Sequence, residues 1–443
     1  MLAELCNFLK RVLTDKALEL GAVIVNRVHV RELLTDGGAV TGAVGLGTRE
    51  PVITVVTAKT TVLATSGRAT RLTGSVTAFD KFEWYSAPSA ANGSGKVLAA
   101  RAGAEVVNLE FVALADSYNL HNYSFSVGLP SGSWWPAGRI VDEDGNVVVR
   151  RNRDLPLDDP DYKAKYHLLV EDYQRQRATI VPLLKQGKSL YFDLLEATDE
   201  ERERILWALG HEGKTGVLKH HLEKRNIDLR TARFPLRLGQ RRDALGNGIW
   251  VKDATTETSV RNLYATGNEL PGTGIGGGGE ALVIGFATGE QAAARAKETE
   301  LPKDVSALCV AELKKQVAEI FGSENGDEWQ SGERALQVLL ESYLGKPYTE
   351  NALKQLGLLL HRLSADLKLR ADNLHQLNRV LEVIDLYRLA ELVAVAARER
   401  KSSLGLFRRS DEADYPREEE GTFIGVSWKN GAVKASRLSN PTT

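Results

Sequence analysis

An α/β chain with an inserted α+β region and an all-helical C-terminal part is the architecture that this sequence predicts. Three observations carry the expectation. A short apolar strand, Leu263–Ala265, runs through a glycine-dense turn into a long helix starting near Glu280, the order of an α/β unit. A second apolar strand, Thr61–Ala64, ends in small residues and is followed by a long stretch of mixed strand and helix signals. From Pro302 onward, leucine, valine and isoleucine recur at i, i+3, i+4 and i+7 through four segments, the pattern of a helical bundle.

The chain opens with an expected helix, Leu2–Leu20, which lacks the continuous apolar core and cleavage site of a targeting segment. Gly21–Val25 reads as a buried strand. Val28–Leu34 and Ala39–Leu46 alternate around Asp36-Gly37-Gly38, a hairpin signal, and Val52–Val56 extends them to a meander. Thr61–Ala64 then ends at Thr65-Ser66-Gly67. Further on, Asn92-Gly93-Ser94 reads as a turn in which Ser94 caps a helix ending at Gly103, and Asn108–Phe111 reads as a strand. A strand pair is expected around Asp144-Gly145-Asn146, a charged helix over Lys163–Lys185 and a strand over Ser189–Leu194. Thr198 followed by acids predicts a capped helix over Asp199–Leu209, with another helix at Val217–Asn226. The bundle helices are expected at Val305–Phe321, Glu333–Tyr343, Thr349–Leu367 and Asn373–Glu399, followed by a loose tail from Ala432.

Composition excludes several classes. The 57 basic and 58 acidic side chains leave a net charge of −1, no field for nucleic acid or an anionic membrane. No run of about 20 apolar residues is long enough to span a bilayer. Two cysteines far apart in sequence suit a reducing, cytoplasmic compartment without a disulfide framework. His220 and His221 are neighbours on an expected helix, about 100° apart, and cannot grip one metal as an i, i+4 pair would. Glu212-Gly213-Lys214-Thr215 imitates the end of a phosphate loop but lacks its first glycine and its preceding strand. The pair Trp134-Trp135 reads as core rather than as a substrate stack.

The glycine turn is the most informative stretch. Six of the eight residues from Gly272 to Gly279 are glycine, which lets backbone come close to a flat or charged group. Gly274, Gly276 and Gly279 satisfy GxGxxG, but no second strand and no acidic ribose partner follow the helix, so a dinucleotide fingerprint is rejected. A flexible linker is rejected too, because an amphipathic helix begins at once.

Gly267-Asn268-Glu269, the glycine turn, Thr65-Ser66-Gly67 and Ala91–Lys96 together resemble the succinate dehydrogenase/fumarate reductase flavoprotein family, FAD-dependent oxidoreductases. The order of Ser189–Leu194, the acidic helix, Glu212–Thr215 and Ile227-Asp228 is similar to the branch related to the adenylylsulfate reductase flavoprotein subunit. The resemblance implies FAD as cofactor. It places Thr65, Ser66 and Gly67 near the adenosine part, Gly267 and Glu269 at the sugar-like chain, and Gly278, Gly279, Glu280, Ala281 and Leu282 at the pyrimidine side of the flavin. Ser94 stands in the acid position of the family's Thr-Gly-Asp-Gly turn. The implied domains are a partial, N-terminally truncated FAD-binding domain over 1–74 and 246–298, a capping substrate domain over 75–245 and a helical domain over 299–443. The family's strand–GxGxxG–helix unit for the pyrophosphate has no counterpart in this sequence.

The family's chemistry is hydride transfer between flavin and a bound substrate. In succinate and fumarate enzymes it relies on cations that clamp two carboxylates and an arginine that moves the proton. Here Gly276 falls where the clamping Arg would be, the family's His falls near Arg242 or Asp243, and the shuttle arginine has only Arg139 nearby in order. Arg139 and Arg242 are therefore the catalytic candidates, and the expected substrate is a small molecule other than succinate or fumarate. The expected function is that of a flavoprotein subunit, cytoplasmic or peripheral to a membrane complex, with an iron–sulfur electron-transfer subunit as one candidate partner. The alternative is a non-catalytic or split subunit that needs a separate GxGxxG-bearing polypeptide to form the FAD site.

Overall fold

A computed structural model describes residues 2–65, 71–72, 92–120, 138–150, 178–211, 220, 222–243, 246–272, 277–344, 347–404, 407–415 and 421–439. In chain order, helix α1 (Leu2–Glu19) leads to strands β1 (Val28–Asp36), β2 (Ala39–Gly47), β3 (Ile53–Thr57) and β4 (Thr61–Leu63). Helix α2 (Ser94–Arg101) precedes β5 (Val106–Val107), β6 (Ala113–Leu120), β7 (Arg139–Asp142), β8 (Val147–Arg150) and β9 (Leu190–Asp193). Helix α3 (Asp199–His211) is followed by β10 (Arg233–Asp243), β11 (Gly248–Ile249) and β12 (Leu263–Ala265). Five helices then run in succession: α4 (Gly277–Glu298), α5 (Ala307–Phe321), α6 (Trp329–Tyr343), α7 (Glu350–Ala365) and α8 (Leu374–Glu399). Strands β13 (Phe423–Lys429) and β14 (Ala432–Leu438) come after them.

The chain divides into two compact units. One comprises Met1–Ile24, Ala78–Ser86 and Ala115–Arg241; the other Val25–Thr77, Ala87–Leu114 and Arg242–Thr443. The first is built on a five-stranded sheet of order β6-β10-β9-β7-β8, whose buried side chains Tyr118, Ile140, Phe192 and Phe234 share a core with Ile180, Ile205 and Leu222. Helix α3 starts as its sequence requires. The Thr198 hydroxyl accepts from the Glu201 backbone N–H at 3.2 Å while the Glu201 carboxylate accepts from the Thr198 N–H at 2.8 Å, a reciprocal capping box.

The second unit holds three sheets and the bundle. In the meander β1-β2-β3, Gly37 and Gly38 take positive φ (53° and 74°), the turn a two-residue hairpin demands. Gly42 is needed for another reason: a Cβ there would collide with the Val56 carbonyl of the next strand. Strands β12 and β4 pair in parallel, Leu263 beside Thr61 and Ala265 beside Leu63. A four-stranded sheet of order β11-β5-β13-β14 joins residues far apart in sequence. Helices α6, α7 and α8 pack through Leu336, Leu340, Leu353, Leu356, Leu381 and Leu389, all buried. Thr349 and Asn373 cap α7 and α8, accepting from the backbone N–H groups of Ala352 (3.1 Å) and Gln376 (3.0 Å).

Four expectations are corrected. Residues 21–25 form no strand; Val23 is 86% exposed and no neighbouring strand reaches it among the described residues. Asn108–Phe111 is not a strand, because Asn108 turns left-handed (φ 62°) and Leu109–Phe111 closes a 3-10 turn. The segment from Ala432 is not loose. It forms β14, paired with β13 across Asn430-Gly431, both at positive φ. Ser94 does not cap α2 either: it is the first helical residue, with its backbone N–H donating to the Asn92 side chain at 3.1 Å and Gly93 at the cap position. The charged helix expected over Lys163–Lys185 and the Trp134-Trp135 pair fall wholly or mostly outside the described residues.

Candidate functional site

The parallel pair β4–β12 delivers two short turns to neighbouring positions. β4 ends at Thr65, and β12 ends in the 3-10 turn Gly267–Glu269, which starts at a left-handed glycine (φ 58°). Glu269 is fully buried. One of its carboxylate oxygens accepts from the Thr65 hydroxyl, and the other lies 3.3 Å from the ammonium of Lys96, which is fully buried as well. Lys96 comes from the first turn of α2. Gly95 beside it has no room for a side chain, since a Cβ would strike the Thr65 hydroxyl. Three separate segments thus lock one carboxylate between a hydroxyl and a cation. Lys96 carried no weight in the sequence reading; its only signal is a lone charge in the otherwise apolar run Gly95–Ala100.

Helix α4 lies on the same two strands. Its inner side is pinned by polar contacts. The Thr256 and Thr288 hydroxyls lie 2.8 Å apart and are buried, Arg295 donates to the Asn262 side chain at 3.2 Å, and Thr60 donates to the Ala292 carbonyl at 3.3 Å. The small-residue ridge is used in part: Ala292 is buried and a Cβ on Gly285 would sit 3.9 Å from the Thr266 hydroxyl, whereas Ala281 and Gly289 face outward. The outer side is apolar and uncovered, with Val283 and Phe286 each 72% exposed and Leu282 beside them. The helix begins at Gly277, three residues earlier than expected, and a Cβ on Gly279 would meet nothing within 4 Å.

Of the expected cofactor residues, Thr65, Gly267 and Glu269 come together at the strand ends, and Ser94 lies two positions before Lys96 in α2. Gly278, Gly279, Glu280, Ala281 and Leu282 form the opening turns of α4. Ser66 and Gly67 fall outside the described residues, as does Gly276. The catalytic candidates fare differently. Arg139 on β7 is tied down by Asp193 (2.6 Å) and Glu196 (2.7 Å), and its hydrogen bond to Asp193 holds its pKa above the usual range despite some burial. Arg242 lies near the end of β10.

FAD can be tested against these residues directly. The opening turn of α4 fits a flat group: free backbone N–H groups, no Cβ at Gly279 and open space above it. The buried hydroxyl oxygen of Thr266, at the end of β12, has no hydrogen-bond partner. Glu269 fits less simply, because its oxygens are held inward by Thr65 and Lys96. A strand–GxGxxG–helix cradle for a pyrophosphate is absent from the sequence.

The β4–β12–α4 unit is an α/β framework. In comparison with known proteins, residues 7–170 match the family model described as FAD binding domain. L-aspartate oxidase 2 of Ralstonia nicotianae (strain ATCC BAA-1114 / GMI1000) is 37% identical over 103 residues, spanning 23% of this chain and only 17% of that protein. Adenylylsulfate reductase from the hyperthermophilic Archaeoglobus fulgidus superposes with a TM-score of 0.66 at 19% identity, over 93% of this chain and 72% of that one. A quinol-fumarate reductase with menaquinol molecules gives 0.69 at 20% identity, over 94% and 72%. In fold the chain is similar to these succinate dehydrogenase/fumarate reductase-type flavoproteins, and the matched domain supports FAD as its cofactor. No helix among the described residues is long and apolar enough to cross a membrane, and no cluster of potential metal ligands occurs among them.

Proposed function

We propose that this chain is the flavoprotein component of an FAD-dependent oxidoreductase acting on a small substrate other than succinate or fumarate. The observation that supports it is the β4–β12–α4 unit, whose open helix start stands beside the interlocked Thr65, Lys96 and Glu269. Bound flavin would supply hydride transfer. The chain's own part is to hold that group. The backbone N–H groups of Gly277, Gly278 and Gly279, free at the start of α4, would face its partial negative charge, and the locked Glu269 fixes the end of β12 from which α4 is launched. Lys96 neutralises Glu269, so the turn carries no net charge into the site. The departures from the family's carboxylate clamp argue against succinate, and an iron–sulfur electron-transfer subunit is the proposed redox partner. Localisation is proposed as cytoplasmic or peripheral to a membrane complex.

The uncovered face of α4 favours a second reading, in which this chain is a non-catalytic or split subunit completed by a separate polypeptide carrying strand–GxGxxG–helix. The test is purification with and without such a segment, followed by absorbance at the flavin bands and by reduced-viologen oxidation. The expected outcome is stable yellow protein only with the segment, and fumarate-dependent oxidation no faster than with free flavin. Stable yellow protein from this chain alone would exclude the split reading, and brisk fumarate reduction would sink the substrate assignment.

A further inference from the structure

Strand β3 is the free edge of the meander, and its outward backbone is unsatisfied. In the antiparallel pair with β2, the Gly47 N–H donates to the Val52 carbonyl at 2.8 Å and the Ala58 N–H to the Thr41 carbonyl at 2.9 Å. Those two bonds fix the phase of the ladder. The even-numbered residues turn toward β2, so Ile53, Val55 and Thr57 turn their N–H and C=O groups outward. β3 ends the sheet order, and no strand among the described residues reaches that side. The usual protections of such an edge are missing. From Pro51 to Ala58 there is no charge, the register with β2 has no bulge, and Pro51 stands before the strand rather than in it.

The side chains along this edge are as uncovered as its backbone. A groove of about 520 Å³ lies between β3 and α5, lined by Leu46, Ile53, Val55, Val310, Val317 and Phe321. Lys314 is the one polar side chain lining it among the described residues. Val55 and Phe321 are exposed, and Ile53, Val310 and Val317 are half-buried. On the opposite face, Val52 and Val56 stand about half in water. An unpaired backbone row fixes the chemistry of what covers it: an extended strand, bonded to Ile53, Val55 and Thr57, with alternate side chains dropping into the groove.

β3 of a second copy has the matching sequence. Paired antiparallel about a two-fold axis at Val55, it sets Val55 opposite Val55 and Ile53 opposite Thr57, β-branched against β-branched. Glu50 just before the strand and Lys59 shortly after it have no ion-pair partner among the described residues. The antiparallel arrangement lays each Glu50 beside the other copy's Lys59, with Arg49 falling one step further out; a parallel arrangement would lay Glu50 beside Glu50. Two-fold pairing uses each edge once, so it closes as a dimer instead of growing into a fibre.

We propose that the chain forms a symmetric dimer by antiparallel pairing of β3 with β3 of a second copy, Ile53 and Val55 of each strand filling the groove of the other. The inference does not rest on the flavin reading.

The test is sedimentation velocity on the full chain between about 1 and 100 µM, where a dimer with Kd of about 10 µM or tighter is expected. Val55→Lys and Val55→Glu each set like charges face to face on the axis and should weaken dimerisation at least about 10-fold. An equimolar mixture of the two should restore it, which requires both variants to be folded. Val55→Cys lies directly opposite its own copy, about 5.5 Å away between Cα atoms, and should oxidise to a linked dimer beyond the background of the parent chain. Val56→Cys is two residues out of step with its mate, about 7–8 Å away, and should not. A monomer throughout the range, association that Val55→Lys leaves unchanged, failure of the mixture to restore it, or equal cross-linking by Val55→Cys and Val56→Cys overturns the proposal. A dimer lost with Val283→Glu and Phe286→Glu, but not with Val55→Lys, would place the contact on α4 and overturn it too.

Discussion

Lys96 and Glu269 decide how the strand ends are held. Each is fully buried, and the Lys96 ammonium lies 3.3 Å from the Glu269 carboxylate. Removing one partner of a buried pair is more damaging than removing both, because it strands the other charge. Lys96→Met is therefore expected to destabilise the protein by about 3 kcal/mol or more, while Lys96→Met combined with Glu269→Gln recovers most of that loss. Urea midpoints for the two single variants and the double variant measure it; additive losses would mean that the pair is not coupled. Glu269 was visible in the sequence through its resemblance to the family's glycine–Glu pair after a strand. Lys96 was not, since its role exists only when residues 173 positions apart meet.

At the scale of elements, the meander and the long helix α8 are joined by a buried polar seam. Arg31 forks onto Asp385 at 2.5 and 3.0 Å, and donates to Nε2 of His29 at 3.1 Å. Nε2 must then accept, so the His29 proton sits on Nδ1 and donates to the Asn378 side chain at 3.2 Å. Burial, and next the Arg31 charge, push the His29 pKa below its usual value, outweighing the pull of Asp385 and Glu382. The unfolded chain takes up this proton at higher pH than the folded one. Stability is thus complete above about pH 6.5 and declines as pH falls below it, toward the depressed folded value. The urea midpoint should drop between about pH 7 and pH 5.5, and His29→Gln should flatten that slope; an unchanged slope would show that His29 is not the titrating group. Element identity here was legible: the Asp36-Gly37-Gly38 turn, the Thr198 capping box and the heptad rows are local codes. Residues 21–25 misled because their apolar run has strand composition but, among the described residues, no strand pairs with it. The β14 strand was missed although Asn430-Gly431 is a hairpin turn, because Lys434, Ser436 and Arg437 interrupt its apolar alternation and none of its residues is fully buried.

For the molecule as a whole, the uncovered side of α4 matters most. An apolar helix face with Val283 and Phe286 largely in water is a site for self-association or for a completing partner. Val283→Glu with Phe286→Glu should raise the soluble yield of the chain expressed alone, since the inner side of α4 is pinned by Thr288, Ala292 and Arg295 instead. The same pair should block flavin retention when a GxGxxG-bearing segment is co-expressed. Unchanged solubility together with unchanged flavin content would remove α4 from the completion surface. The overall class was readable because one strand–glycine turn–helix unit and a leucine-periodic bundle are each self-contained. The two compact units were not, because their boundaries follow three-dimensional contacts that interleave segments of the chain.

The sheet β11-β5-β13-β14 also sets a timetable for synthesis. Val106 pairs with Val426, and Val107 with Gly425, so β5 emerges from the ribosome long before its partner exists. With about 320 residues between them, and elongation at about 5–20 residues per second, β5 waits roughly 15–65 s. Through that interval α2 and β5, with fully buried Val106, Val107, Ala99 and Ala100, have no β13 to cover them. Such a nascent chain is expected to engage holdase chaperones during translation, and stalling before β13 should leave α2 open to protease while release should close it.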